Sequence, residues 1–445
     1  MNISRATLLF LGATMLNTAC TFQEDDFFDE SASLRINHTN DLLQERLISQ
    51  SSDENHGWVI QYFVAGTDEA DFEGFNIFGR FYENGKVTLA GNHRFLRNGN
   101  ANKYTEHSSS YEFLSEEGPV LSFNTWNDIL TVFEDPVDPS TLAQDGEGMF
   151  GDHNLVLRSY NDNEIVFSGE RHSAKVRFIP CDRPWTDYID AVNDTKNYIS
   201  STALTTYYVT DGVDTMYFSR LNRGYFNYCD RVDDPLNNKV LSCVFTPTGF
   251  RIEKTDTLGG HPFQEFTLAA DSTCLLNEDG SVKVIAAWDN YVVSHTTVWK
   301  FDTATLPSQL EDLYNKINAE ILNFNKAWSL ESVGIGQSSG TNKITGLVLT
   351  FYTNAAKTKT NTAGVALTMQ KTGYGQMKIV SVDTDNIDKN METIAKSAPE
   401  VVTYARSFAN LLNGTYNIVP NHYFMPTGGT YTPVSGGTAF TMSAE

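Results

Sequence analysis

The chain has 445 residues and a formal charge of −23, with 32 Lys and Arg against 55 Asp and Glu. Because 40% of its residues are hydrophobic and 20% are charged, its composition is that of a folded protein, and its length predicts about two or three domains. The excess of negative charge would repel a phosphate backbone, so nucleic acid is not an expected partner.

The first residues of the chain predict its compartment. Residues 6–16 form an apolar run behind Arg5, which is typical of a secretory signal and too short to span a bilayer as a helix. The run leads into Asn17-Thr18-Ala19-Cys20, which resembles the lipobox of bacterial lipoproteins. This resemblance implies a lipoprotein signal peptide over residues 1–19 and lipid attachment at Cys20. An ordinary signal peptide that contains a cysteine is the alternative.

An acidic segment follows Cys20 directly. Residues 20–33 contain no basic side chain and include the run Glu24-Asp25-Asp26. An acidic tether behind a lipidated cysteine resembles the surface-export signal of Bacteroidetes-type lipoproteins, whereas composition alone is equally consistent with a solvated linker. The expected localisation is therefore the outer membrane, lipid-anchored and exposed at the cell surface.

Residues 34–180 are predicted to form an N-terminal α+β unit. An amphipathic helix is expected over residues 31–50 and a short helix over residues 125–133. Between them, Asn84-Gly85 separates two apolar strands, a sequence typical of a β-hairpin turn. Three alternating strands end the unit.

Residues 181–302 are predicted to form a β-rich middle region that begins with a helix over residues 185–199. The alternating aromatic and polar residues after this helix favour an antiparallel sheet. Residues 303–445 are predicted to form a C-terminal α+β unit with helices over residues 306–326 and 387–412. The expected fold class is α+β, predominantly antiparallel β with a few packed helices.

An internal duplication of a helix-sheet-helix-sheet unit is a further hypothesis. Trp58 and Trp328 are each followed 23 residues later by Phe-Tyr-x-Asn, and each follows a predicted helix. Both tryptophans are expected in the core, because large aromatic side chains are usually buried. Partial exposure is expected instead for three tryptophans beside polar residues, which are Trp126, Trp185 and Trp288.

Four cysteines follow Cys20, namely Cys181, Cys229, Cys243 and Cys274. Cys229 and Cys243 flank a turn-rich stretch and could form a disulfide across a hairpin, but four buried free thiols are an equally good interpretation. A zinc site is the least favoured interpretation of these cysteines, because zinc ligands usually come in close pairs along the chain. No metal and no cofactor is expected.

Catalytic motifs are scarce. Residues 336–340 match G-x-S-x-G, but a strand is predicted after the serine where a nucleophile elbow needs a helix, so a hairpin loop is expected. Asp383, Asp385 and Asp388 resemble part of a calcium loop, although Ile387 stands where an oxygen ligand belongs, and helix capping by aspartate is the better explanation. The acidic loop over residues 135–152 could hold a hard cation, but a solvated loop is favoured.

Several segments resemble a known family. They include Gly57-Trp58, the strand and turn over residues 79–87, residues 118–123, Phe245 to Phe250, and Phe263 to Phe266. Together they resemble a Bacteroidetes-type surface lipoprotein family that carries a domain of unknown function and is often encoded beside starch-utilisation-type importers. The resemblance implies a location and a neighbourhood, and it carries no catalytic residue.

These observations lead to the hypothesis of a non-catalytic binding accessory to an outer-membrane nutrient importer, with a glycan or peptide as ligand. The expected partners are the membrane, through the lipid anchor, and an importer complex. One alternative is a surface hydrolase whose carboxylates meet only in the fold. Another is a structural or adhesive surface protein, for which flat surfaces without pockets would be the discriminating feature.

Overall fold

The computed structural model describes most of the chain beyond the first thirty residues. It covers residues 31–444, and the gaps are 53, 66–72, 117, 137–147, 201–203, 205, 222–224, 230–238, 295–296, 340 and 382. Some strand residues are described by their backbone alone, namely 220, 221, 225–229, 239 and 240. No helix in the covered part of the chain is both long and apolar enough to cross a membrane.

Six α-helices are present among the described residues. They are α1 (Ala32–Gln50), α2 (Trp185–Ile199), α3 (Trp288–Ser294), α4 (Ser308–Phe324), α5 (Lys389–Ala395) and α6 (Pro399–Leu411). The predicted helices at residues 31–50, 185–199 and 306–326 are thereby confirmed within a few residues. The single helix expected over residues 387–412 is wrong: Pro399 starts a second helix, because proline lacks the N–H that would continue the first.

The short helix expected over residues 125–133 is also wrong, since only a 3₁₀ turn, Thr131–Phe133, forms there. The Asn127 side chain donates to the carbonyl of His107 at 3.1 Å and to Ser109 Oγ at 2.9 Å. These bonds hold the segment as a loop against a strand, and an asparagine engaged in this way competes with helix formation.

Nine strands form the first sheet, in the order β4-β3-β2-β1-β9-β8-β7-β6-β5. The strands are β1 (Trp58–Phe63), β2 (Phe75–Phe81), β3 (Lys86–Gly91), β4 (Thr105–Ser110), β5 (Glu112–Ser115), β6 (Pro119–Ser122), β7 (Asn154–Asn161), β8 (Glu164–Gly169) and β9 (Lys175–Pro180). The Asn84-Gly85 turn joins β2 to β3 as predicted, and Gly85 has a φ of +70°, which glycine adopts without strain.

Eight strands of the middle region close into an antiparallel barrel, in which β10 pairs with both β11 and β17. The strands are β10 (Thr206–Thr210), β11 (Thr215–Leu221), β12 (Tyr225–Cys229), β13 (Lys239–Thr246), β14 (Gly249–Leu258), β15 (His261–Leu268), β16 (Leu275–Leu276) and β17 (Lys283–Ala286). A cluster of buried apolar side chains that includes Phe218, Phe250 and Phe266 forms its core. The antiparallel sheet predicted for this region is confirmed.

The last nine strands form a third sheet, in the order β21-β20-β19-β18-β26-β25-β24-β23-β22. The strands are β18 (Trp299–Phe301), β19 (Ser329–Gln337), β20 (Thr345–Tyr352), β21 (Thr360–Ala366), β22 (Thr368–Gly373), β23 (Gln376–Val380), β24 (Gly414–Pro420), β25 (Gly428–Pro433) and β26 (Phe440–Ala444). Buried residues of α4 and α6, such as Ile317 and Phe408, belong to the same core as this sheet. The α+β fold class with mostly antiparallel strands is confirmed.

The first and third sheets have the same strand order when β1 to β9 are matched one for one with β18 to β26. This identity supports an internal duplication. The shared aromatic spacing does not follow the match, however, because Trp58 starts β1 whereas Trp328 directly precedes β19, the counterpart of β2. The helices differ as well, since α4 separates β18 from β19 whereas the described residues between β1 and β2 form no helix.

The chain divides into two compact units. One contains the chain up to Ile60 and residues 77–182, and the other contains residues 61–76 and the chain from Arg183 onward. The barrel and the third sheet therefore belong to the same unit.

The structure excludes the disulfide considered between Cys229 and Cys243. In the antiparallel pair β12 and β13, Tyr228 lies opposite Lys239, so Cys229 and Cys243 are offset by five residues along the strands, or about 17 Å. Disulfide Cα atoms are usually within about 7 Å. Cys181 and Cys243 are buried, and Cys274 is a free thiol.

Buried His93 makes stability depend on pH in the first unit. Its Nε2 donates to the carbonyl of Ile129 at 2.9 Å, and its ring lies 4.9 Å from that of Phe133. Burial, with a smaller contribution from Arg94, lowers the pKa of His93 to about 4. The folded state therefore keeps this ring neutral where the unfolded chain is protonated.

We expect His93 to reduce the free energy of unfolding by about 2 kcal/mol when the pH falls from about 7 to 5, because the unfolded state then binds more protons. The stabilisation is present above pH 6.5 and is lost as the pH falls toward 4. Urea unfolding of the wild type and of His93→Gln at both pH values measures the difference. Equal pH dependence in the two proteins would contradict the prediction.

Candidate functional site

The candidate site is a polar groove in the first compact unit, between α1 and one end of the first sheet. Its volume is about 450 Å³, within the range of small-ligand sites. The side chains that line it are mainly amides, carboxylates and aromatics. They belong to Asn37, Asn40, Asp41, Gln44, Glu83, Gly85, Tyr111, Glu112, Phe113 and Ser115.

One wall of the groove is a polar stripe along α1. Asn37, Asn40, Asp41 and Gln44 are spaced by three, four and seven residues, which places them on one face of a helix. Leu43 and Leu47 of the same helix are completely buried and fix its rotation. The helix thus presents an apolar stripe to the core and an amide stripe to the groove.

Hydrogen bonds hold the amides in place. Asn40 Nδ2 donates to Ser115 Oγ at 3.0 Å and to the carbonyl of Leu114 at 3.4 Å, and Ser115 Oγ donates to Asn37 Oδ1 at 2.7 Å. Asn40 is only 7% exposed, and its Oδ1 is buried without a hydrogen-bond partner among the described residues. Because such an acceptor is costly to leave unpaired, a donor on a bound ligand or a water would be stabilising there.

The opposite wall comes from the sheet. Glu83 and Gly85 lie in the turn between β2 and β3, and a Cβ on Gly85 would be 3.3 Å from the carbonyl oxygen of Tyr111. Burial raises the pKa of Tyr111 to about 12, so its hydroxyl stays neutral and donates to the carbonyl of Tyr82 at 3.1 Å. This wall is therefore positioned by a tight turn and a buried tyrosine.

The remaining sheet groups add charge and an aromatic surface. Glu112 accepts from Asn124 Nδ2 at 3.0 Å, and the ring of Phe113 is partly exposed, 6.5 Å from that of Tyr111. The described lining contains three carboxylates and no Lys, Arg or His. The groove is consequently rich in acceptors and favours ligands that carry hydroxyl, amide or ammonium donors.

No group of three or more His, Cys, Asp or Glu side chains that could hold a metal is found in the described part of the chain. In the acidic loop over residues 135–152, Asp135 pairs with Arg97 at 2.7 Å. Asp152 is buried and accepts backbone N–H groups, including that of Arg171 at 2.9 Å. Both carboxylates therefore have structural roles, while Asp138, Asp145 and Glu147 lie outside the described residues.

The other motifs are also structural. Ser338 is 1% exposed, lies after β19 in the connection to β20, and accepts the backbone N–H of Ile344 at 3.2 Å, so the hairpin-loop interpretation is confirmed. Asp388 caps α5 by accepting the backbone N–H of Met391 at 2.8 Å, as predicted. Neither residue is placed for catalysis, and Cys20 lies outside the described residues.

The tryptophans follow the predictions only in part. Trp58 is completely buried and Trp126 is 47% exposed, as expected. Trp185 and Trp288 were expected to be partly exposed, but both are buried. The reason is local: Trp288 starts α3, and its indole N–H is satisfied within the fold by the hydroxyl of Tyr374 at 2.8 Å.

A second polar cluster lies between the barrel and the third sheet. Lys371 Nζ is 3.0 Å from Asp289 Oδ2 and donates to the Tyr208 hydroxyl, which also accepts from Asn290 Nδ2 at 2.7 Å. Burial raises the pKa of Tyr208. Burial by itself would lower that of Lys371, but the bonds to Tyr208 and Asp289 outweigh it and raise the pKa. These shifts oppose the activation of either group as a base or nucleophile, so the cluster is best explained as structural.

The groove residues were not singled out from the sequence. The signal that could have found them is the spacing of Asn37, Asn40, Asp41 and Gln44, four polar residues on one face of a predicted helix. The sheet wall had no comparable local signal, because Glu83 and Glu112 are far apart in sequence and line the same groove only once the turn between β2 and β3 and strand β5 are placed.

The comparisons with known proteins identify a family. No curated protein matches this chain. Among solved structures, Caulobacter crescentus pol III beta is 10% identical, with 90% of this chain and 95% of that chain covered, but the TM-score of 0.10 supports no shared fold. Residues 24–270, more than half of the chain, match the family described as a domain of unknown function (DUF4302). The chain therefore belongs to the DUF4302 family.

Proposed function

We propose that this protein is a lipid-anchored protein of the outer-membrane surface that binds an extracellular ligand as an accessory to a nutrient importer. The observation that carries the binding role is the groove beside α1, in which a buried acceptor of Asn40 has no partner among the described residues and the polar lining is held by hydrogen bonds. A groove of this kind favours ligand binding over a purely adhesive role.

The location is supported by the sequence alone. The apolar run over residues 6–16, Cys20 and the acidic tether over residues 20–33 are the features expected of a surface-exposed lipoprotein. The resemblance to Bacteroidetes-type lipoproteins encoded beside starch-utilisation-type importers supports the accessory role.

Substitution Cys20→Ala is expected to abolish incorporation of a palmitate analogue by cells that express the full chain, because the lipid-bearing residue is then missing. Labelling and membrane fractionation measure the effect. Cys274→Ala is the matched control, since Cys274 is a free thiol outside this segment and its loss should leave labelling unchanged. A wild-type protein without label, or a labelled Cys20→Ala protein, would refute the lipid anchor.

Filling the groove is expected to prevent ligand binding. The full chain, purified in detergent, would be applied to an array of glycans and peptides, and Gln44→Trp should weaken any binding at least tenfold, or by about 1.4 kcal/mol. Glu45→Trp is the control, because Glu45 is exposed on the same helix and does not line the groove. Equal weakening by both variants would place the ligand elsewhere.

The same array separates the rival functions. Mass spectrometry of the bound ligands would detect turnover, and product formation would favour a surface hydrolase that uses carboxylates such as Asp41 and Glu83. Absence of both binding and product would favour a structural surface protein. Binding without product is the result expected for an importer accessory.

A further inference from the structure

The charged side chains in the described lining of the groove are all negative. Asp41 contributes one carboxylate from α1, whereas Glu83 and Glu112 contribute two from the sheet. Among the described residues that line the groove there is no basic side chain to neutralise them, and the whole chain has a charge of −23. An anionic ligand would be repelled from this site, and a cationic one would be attracted.

A buried acceptor provides independent evidence for a ligand that donates hydrogen bonds. Asn40 is 7% exposed, and both of its Nδ2 bonds go to the chain itself, at Leu114 and Ser115. Its Oδ1 is left without a described partner. An ammonium or guanidinium group has donors and no acceptor, so it satisfies such an oxygen and the nearby carboxylates together.

The aromatic wall is suited to the same ligand. Phe113 is partly exposed at the groove, and a cation near the face of an aromatic ring is stabilised by the ring quadrupole. Saccharide hydroxyls would also bond to amides and carboxylates. However, a neutral sugar would leave the negative charge of the three lining carboxylates uncompensated, whereas a cationic group would neutralise part of it.

We propose that the groove beside α1 binds peptides through Lys or Arg side chains, an inference that rests on the binding function proposed above. The positive head group lies among Asp41, Glu83 and Glu112 and donates to Asn40 Oδ1, while its alkyl stem packs against Phe113. The selected ligand is thus a basic peptide.

The test measures binding of a fluorescent tetralysine peptide to the full chain by anisotropy. Asp41→Asn and Glu83→Gln keep the shape of each side chain, remove one charge, and should each weaken binding about fivefold. Glu45→Gln removes a charge from the same helix outside the groove and should leave binding unchanged. Acetylation of the peptide, or an increase in salt from about 0.05 M to about 0.5 M, should weaken binding further.

Three outcomes would overturn the inference. Equal weakening by Glu45→Gln and Glu83→Gln would show that the peptide is attracted by the overall negative charge of the protein. Undiminished binding of the acetylated peptide would show that binding does not depend on the positive charge of the lysine side chains. Binding of neutral oligosaccharides that Gln44→Trp abolishes, without binding of tetralysine, would leave the proposed binding function standing and refute only the ligand class.

Discussion

The variant Phe424→Ala is expected to lose about 4 kcal/mol of unfolding free energy. Phe424 lies in the loop between β24 and β25 of the third sheet, is completely buried, and belongs to the apolar core of the barrel. Its ring is 5.9 Å from that of Tyr198 on α2. Truncation to alanine removes apolar burial and leaves a cavity where the barrel and the third sheet meet, and both effects destabilise the same compact unit.

Urea unfolding of the full chain measures this loss. Val419→Ala is the control, because Val419 lies on β24 in the same sheet but is 57% exposed, and it should change the free energy by less than about 0.5 kcal/mol. A loss below about 1 kcal/mol for Phe424→Ala would contradict the view that this ring is part of the barrel core.

The variant Lys371→Met is expected to lower the free energy of unfolding by about 3 kcal/mol, because it leaves a buried carboxylate without its cation. Asp289 is 1% exposed, and after the change its Oδ2 would keep the backbone N–H of Gly375, at 3.3 Å. Tyr208 would lose a donor at the same time. The effect is expected at the lower end of the range for broken buried pairs, since the Lys371 side chain is 30% exposed.

The control for this prediction is Lys316→Met, which removes a cation from an exposed pair with Asp312 and should change the free energy of unfolding much less than Lys371→Met does. Similar losses for the two lysine variants would refute the buried-charge explanation.

Local patterns predicted most elements of the fold. The apolar spacing in residues 31–50 and 306–326 and the Asn84-Gly85 turn each depend on neighbours a few residues apart, and each prediction is confirmed. Residues 125–133 show where such patterns fail, because Asn127 bonds to a strand that lies 20 residues earlier in the chain and this long-range contact outweighs helix propensity.

The first and third sheets have the same strand order, and the aromatic spacing in the sequence could not predict this. That spacing pairs Trp58 with Trp328, yet the sheet order places their strands one position apart. Strand pairing depends on contacts between residues far apart in the chain, whereas a sequence motif reports only separation along it. The topology is therefore stronger evidence for duplication than the motif that first suggested it.

The sequence by itself was enough to predict that the protein is acidic and folds, that it belongs to the α+β class, and where most helices and turns lie. These properties follow from residue type and short-range periodicity. Closure of the barrel, the burial of Trp288, the separation of Cys229 from Cys243 and the groove beside α1 were decided by tertiary structure alone. Each depends on the register and packing of segments distant in sequence. The groove is the clearest case, since its carboxylates come from a helix and two separate parts of a sheet that only folding brings together.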